Sequence, residues 1–106
     1  SRLFKASPTL KRDLKIMSET LERPVPIAQL AASANMPERS FHCLFLKELH
    51  MPPGKYYFLL RLARARKLLR NSDLSRNDIA LRCGFINATT LARSFARHHG
   101  VRLEAS

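Results

Sequence analysis

The sequence predicts an all-α fold in which a short helix, a sharp turn and a longer helix occur twice, on either side of one long central helix. Three observations predict it. Apolar residues recur three and four positions apart throughout, the period of an amphipathic helix, and no β-branched cluster suggests a strand. Pro24, Pro26, Pro37, Pro52-Pro53-Gly54 and Gly84 break that pattern into segments of helical length. The second half also repeats the first: Leu30-Ala31 align with Ile79-Ala80 and Asn35 with Gly84 at an offset of 49, then Phe41 with Leu91 and Phe45 with Phe95 at an offset of 50. The one-residue change falls in the turn.

Ser7-Pro8 opens a first helix as cap and first-turn proline, and Leu10, Leu14, Met17 and Leu21 give it an apolar stripe that ends before Arg23-Pro24. Ile27, Leu30, Ala31 and Ala34 form one face of a short second helix. Asn35 follows it and tolerates the left-handed conformation of a sharp turn. Pro37 restarts a helix whose buried face is Phe41, Leu44, Phe45 and Leu49. After Pro52-Pro53-Gly54, a long helix from about Lys55 to Arg70 carries Tyr56, Leu59, Leu60, Ala63, Leu68 and Leu69 as its apolar positions and spans roughly 24 Å. Asn71-Ser72-Asp73 ends it. Ser75 caps the next short helix with Asp78 in the capping-box place, and Ile79, Ala80 and Cys83 face inward. Gly84 is the turn, Phe85 and Ile86 cross it, and Asn87 caps a helix with Leu91, Phe95 and His98 on its core face up to Gly100. The expected divisions are a packing helix over 1–23, a first unit over 24–52, a linker helix over 53–72 and a second unit over 73–106.

The composition bounds the chemistry. A chain of 106 residues with 45% hydrophobic residues builds one modest core. Its 19 Lys and Arg against 8 Asp and Glu give a net charge of +11, which points to an anionic partner, nucleic acid before an anionic membrane surface. The surplus is concentrated after residue 50. No apolar run approaches the roughly 20 residues of a membrane span, and no signal-peptide pattern is present, so a cytoplasmic protein fits best. Cys43 and Cys83 lie far apart with no ligand cluster around them, so neither metal nor cofactor is expected. The start at Ser1 and the stop at Ser106 soon after an amphipathic helix suggest a piece of a longer protein, with a partner domain elsewhere.

A short helix, a turn holding Asn or Gly, and a longer amphipathic helix is the helix-turn-helix plan, whose second helix reads base edges in the major groove. Two such units joined by a long helix suit successive grooves about 34 Å apart on one face of a duplex.

Residues 24–102 also resemble the AraC/XylS family of transcription regulators. The likeness is carried by Pro53-Gly54-Lys55-Tyr56-Tyr57, Arg61-Leu62-Ala63-Arg64-Ala65-Arg66-Lys67-Leu68-Leu69, Ile79-Ala80 and Cys83-Gly84-Phe85 in order and spacing. The resemblance implies about seven helices, two helix-turn-helix subdomains, and binding of double-stranded promoter DNA to activate or repress transcription. It also implies RNA polymerase as a further partner and an N-terminal effector or dimerisation domain. The early helix and Tyr56-Tyr57 are similar to members with an amidotransferase-like sensor domain. Departures touch the reading surface. Cys43 stands where many relatives carry arginine, Leu46 and Leu59 where they often carry basic residues, and His50 where they carry glycine. Val101 to Ser106 replace or truncate the usual last helix.

The front of the first long helix offers Arg39, His42 and Cys43 as candidate base contacts, Arg39 foremost because its fork matches guanine, with Ser40 toward phosphate. Pairing of Arg39 with a local carboxylate such as Glu38, or contact with phosphate alone, is the competing role. In the second unit Ala88, Thr89 and Ala92 suit thymine methyl groups and Arg93 suits guanine, while Asn87, Thr90 and Arg97 are candidate phosphate contacts. Among the arginines of the long helix, the resemblance puts Arg61 close to the first unit and toward phosphate.

Competing readings are weaker. A basic RNA-binding module usually exposes aromatics for stacking, whereas the six Phe fall mostly on core positions. A non-specific nucleic-acid clamp shares the charge and differs in its indifference to base sequence. An enzyme is a poor fit, because His42, His50, His98 and His99 have no carboxylate or cysteine partner at a recognisable spacing, and a repair methyl acceptor needs a metal-bound cysteine. Basic amphipathic helices also bind anionic lipid, the remaining alternative.

Overall fold

Six helices run through residues 7–99, the part of the chain that the computed structural model describes. They are α1 (Pro8–Glu19), α2 (Ile27–Ser33), α3 (Glu38–Leu49), α4 (Pro53–Asn71), α5 (Arg76–Arg82) and α6 (Ala88–His99). No strand occurs among the described residues. A seventh helix would fall in residues 100–106, which lie outside the described residues. Contacts divide the chain into two units: residues 24–58 cluster with α1, and residues from Leu59 onward cluster with Leu21–Arg23, so α4 contributes its start to the first and its remainder to the second.

In the first unit, Ser7 caps α1: its Oγ accepts from Leu10 N–H (3.2 Å), and its own N–H donates to Glu48 Oε1 on α3 (2.7 Å). The helix stops at Glu19 and does not continue toward Arg23 as the apolar stripe suggested. Thr20 leaves helical geometry there, with its hydroxyl bonded to Ile16 O (2.7 Å) and to the Tyr57 hydroxyl. Tyr57, almost wholly buried, also accepts from Val25 N–H (2.9 Å), so one phenol holds both ends of the segment between α1 and α2. Leu10, Leu14, Met17, Leu30, Ala31, Phe41, Phe45 and Leu49 form the core around it, with the Phe41 and Phe45 rings 5.0 Å apart. Each fully buried side chain of this size contributes about 1.5–3 kcal/mol.

One member of that core is polar. Asp13 on α1 is 1% exposed, and its Oδ2 has no hydrogen-bond partner. Burial raises its pKa against the opposing charge of Arg12.

The two helix pairs close in the same way. At the end of α2, Met36 N–H donates to Ala31 O (3.0 Å) and Asn35 N–H to Ala32 O (3.0 Å). At the end of α5, Phe85 N–H donates to Ala80 O (2.8 Å) and Gly84 N–H to Leu81 O (3.3 Å), the same bonds at the sequence offset of 49. This closure requires a left-handed residue between helix and turn. Asn35 (φ 57°) and Gly84 (φ 84°) supply it, as their identities suggested. Ala31 and Ala80 are buried beneath, and α2 packs on α3 as α5 packs on α6. His50 is a third left-handed residue (φ 61°) and ends α3 with its N–H on Leu46 O (3.1 Å).

In the second unit the buried residues of α4 are Leu62 and Ala65, and Ile79, Ala80, Cys83, Phe85, Leu91 and Phe95 are buried in the same unit. The apolar positions expected on α4 are displaced: Ala63 is exposed, and Tyr56, Leu59, Leu60, Leu68 and Leu69 are only half-buried. Apolar residues encircle the first half of this helix, so hydrophobicity alone selects no face. His98, expected on the core face of α6, is exposed.

Arg61 is committed to the second turn. Its Nε donates to Cys83 O (2.9 Å), its Nη2 to Gly84 O (2.8 Å), and its guanidinium lies 4.3 Å from the centre of the Phe85 ring. It satisfies carbonyls that a helix end leaves without partners. The resemblance placed Arg61 by the first recognition unit; the structure puts it in the second unit, where it braces the turn.

Three expectations follow. Arg61→Lys lowers the unfolding free energy by about 2–3 kcal/mol in urea titration, nearly as much as Arg61→Ala, because one ammonium cannot replace the fork and the ring contact. Gly84→Ala costs about 1–2 kcal/mol, whereas His50→Gly gains roughly 0.5–1 kcal/mol, since relief of left-handed strain exceeds the added chain entropy. Asp13→Asn stabilises by about 1–3 kcal/mol at pH 7. The native pKa of Asp13 lies above its unfolded value, so native Asp13 favours folding only where it is protonated. The gap between variant and parent therefore narrows as pH falls through the native pKa, which denaturation across pH 3–7 on the order of one-unit steps measures.

Candidate nucleic-acid interface

The exposed front of α3 is set by what its back buries. Phe41, Phe45 and Leu49 face the core, which leaves Arg39, His42, Cys43 and Leu46 on the solvent side at helical spacings of three and four. Glu38 and Ser40 are exposed in the first turn. Arg39 is exposed, and among the described residues it forms no ion pair with Glu38. Pro37 precedes the helix and supplies no side-chain cap.

On α6, Leu91 and Phe95 face inward; Thr89, Arg93 and Arg97 are exposed in a row one turn apart; and Ala88, Thr90 and Ala92 are half-buried beside them. At the offset of 50, Cys43 corresponds to Arg93 and Thr89 to Arg39, so the units carry their arginine in different turns of their second helices.

The start of α6 differs from the expectation. Asn87 does cap the helix, its Oδ1 accepting from Thr90 N–H (2.9 Å). A second side chain, Asn77 from α5, accepts from Ala88 N–H (2.9 Å). The Ala88 and Thr90 amides at this helix start are thus satisfied within the unit, and the Asn87 side chain spends its oxygen on the cap. Asn77 carries no signal in the sequence, because its partner lies eleven residues away and no local pattern links them.

The cysteines stand apart in environment. Cys43 is exposed on the front of α3, and Cys83 is buried at the end of α5, where desolvation raises its thiol pKa despite Arg64 and Arg61 nearby. A thiol so held stays protonated and unreactive. Among the described residues no group of His, Cys, Asp and Glu is placed to hold a metal ion, and no helix is long and apolar enough to cross a membrane.

Comparison with known proteins agrees with this geometry. A family model described as a helix-turn-helix domain matches residues 30–105. The transcriptional regulator GbdR of Pseudomonas aeruginosa is 34% identical over 94 residues, covering 89% of this chain and 26% of GbdR. The transcriptional regulator CdhR of the same species is 35% identical over 79 residues, 74% of this chain and 24% of CdhR. The chain thus spans about a quarter of the length of these curated relatives. Among solved structures, an AraC-type regulator from Chromobacterium violaceum superposes with a TM-score of 0.84 at 30% identity, covering 92% of this chain and 88% of that one. The DNA-binding domain of the global transcriptional factor AdpA, solved in complex with a target DNA, gives 0.84 at 30% identity over 93% of this chain and 89% of that one. The chain belongs to the AraC-type family of helix-turn-helix DNA-binding domains.

Proposed function

We propose that this chain binds double-stranded promoter DNA sequence-specifically, as the DNA-binding domain of a transcription regulator, with α3 and α6 as its two recognition helices. The observation that carries the reading is the twice-built turn: the same backbone closure precedes α3 and α6, and each then presents an exposed front over a buried back. The AdpA domain, so similar in fold, is described with target DNA bound, and the relatives are transcriptional regulators.

In this reading Arg93 grips a guanine while Ala88, Thr89 and Ala92 meet thymine methyl groups, and Arg39, His42 and Cys43 face bases from α3. Ser40, Thr90 and Arg97 meet phosphate through their side chains and set the register without carrying sequence information. Asn87 acts as a helix cap and Arg61 as a brace, and both support the interface from within. The greater length of the relatives supports a further effector-sensing or dimerisation domain in the intact regulator, which acts in the cytoplasm with RNA polymerase as a second partner.

The test is titration of the domain onto a library of duplexes at two salt concentrations. An enriched site should emerge. Arg93→Ala should weaken that site by about 1–3 kcal/mol with little effect on random DNA, while Arg97→Ala should weaken both alike and reduce the salt slope by about one. Uniform binding that simply fades with salt would refute base readout and leave an electrostatic clamp.

A further inference from the structure

Three large hydrophobic side chains are exposed among the described residues, and Ile86, at 82%, is the most exposed of them. A single exposed isoleucine is ordinary in itself. This one stands next to Asn87, the cap of α6, on a segment of backbone held at both sides. Before it, Phe85 N–H is bonded to Ala80 O and Arg61 grips the carbonyls of Cys83 and Gly84; after it, Ala88 N–H is bonded to Asn77 Oδ1 and Thr90 N–H to Asn87 Oδ1. A β-branched side chain on so fixed a backbone has few orientations to lose on binding.

The same bonds decide what kind of group this end of α6 suits. A helix start with free amides attracts phosphate. Here the Ala88 and Thr90 amides are occupied, and the residues around them bring methyl groups: exposed Ile86 and Thr89 and half-buried Ala88 and Ala92, with Arg93 one turn beyond Thr89. The apolar group that the major groove offers is the thymine 5-methyl.

We propose that Ile86 is a specificity-determining residue that packs against a thymine methyl group at the edge of the bases read by α6. The proposal rests on the reading of α6 as a major-groove helix and extends it to a residue outside the helix itself. Its exposed side chain has no part in the core, so it can be truncated without loss of folding.

The experiment replaces thymines of the enriched duplex one at a time by deoxyuridine, which removes the methyl group and leaves the base pair, and measures binding by the parent domain, Ile86→Ala and Arg93→Ala. One replacement should weaken the parent about fourfold, roughly the worth of one buried methyl group. Ile86→Ala should bind the thymine duplex about as weakly, melt at the parent temperature, and be indifferent to that same replacement, while Arg93→Ala should remain sensitive to it. Equal sensitivity of Ile86→Ala and the parent at every thymine overturns the proposal and leaves the reading of the domain intact. Unchanged binding by Ile86→Ala with lost promoter activity in cells also overturns it, because Ile86 would then meet a protein. Absence of any enriched site for the parent removes the reading of the domain and this inference with it.

Discussion

The turn between the two helices of each unit is the constraint on which the rest depends. An isolated helix of seven residues, the length of α2 and of α5, is not stable in water. Each becomes a defined element because its last carbonyls are taken by the turn and because a buried alanine lets the following helix cross closely. Once the left-handed residue is in place, the direction of α3 or α6 follows, and so does the set of side chains on its front. Loss of that backbone closure would leave the longer helix of each unit with nothing to fix which of its faces lies outward.

The two units reach the same geometry with different supports. Around the first, the Tyr57 phenol joins Thr20 to Val25 and Glu48 receives the start of α1, so long-range polar contacts organise the approach to α2. Around the second, Arg61 and Asn77 bind the turn and the helix start from within. The second unit accordingly has a glycine in its turn and a capped recognition helix. The first has Asn35 in its turn, an uncapped helix after Pro37 and a left-handed His50 at the far end. The two second helices also differ in what they present, Cys43 standing where the corresponding position of α6 holds Arg93.

A count of basic residues overstates how many cationic side chains can reach a partner directly. Arg61 is spent on backbone carbonyls and a phenylalanine ring, and Arg64 lies close enough to Cys83 to bear on its thiol. The arginines that remain exposed on the recognition helices, Arg39, Arg93 and Arg97, are few and are carried by rigid elements. Specific readout needs such placement, whereas the excess of positive charge serves attraction at a distance.

The sequence by itself determined the helical class, the doubled turn, the identities of the turn residues, the caps at Ser7, Ser75 and Asn87, and the fronts of α3 and α6. These are local properties: periodicity, a residue tolerant of positive φ, and a side chain that bonds an amide three positions on all act within a few residues. Tertiary structure decided what involves partners distant along the chain. It stopped α1 at Glu19 and turned Tyr57, Leu62 and Ala65 into the core face of an α4 that is apolar on several sides. It left Asp13 buried without a partner for Oδ2 and Ile86 in the open. It also bound Arg61 to the carbonyls of the second turn and set Asn77 against an amide eleven residues away. A side chain able to serve either solvent or a buried backbone group takes its role from which of them the folded chain brings within reach, and residue type alone does not say which.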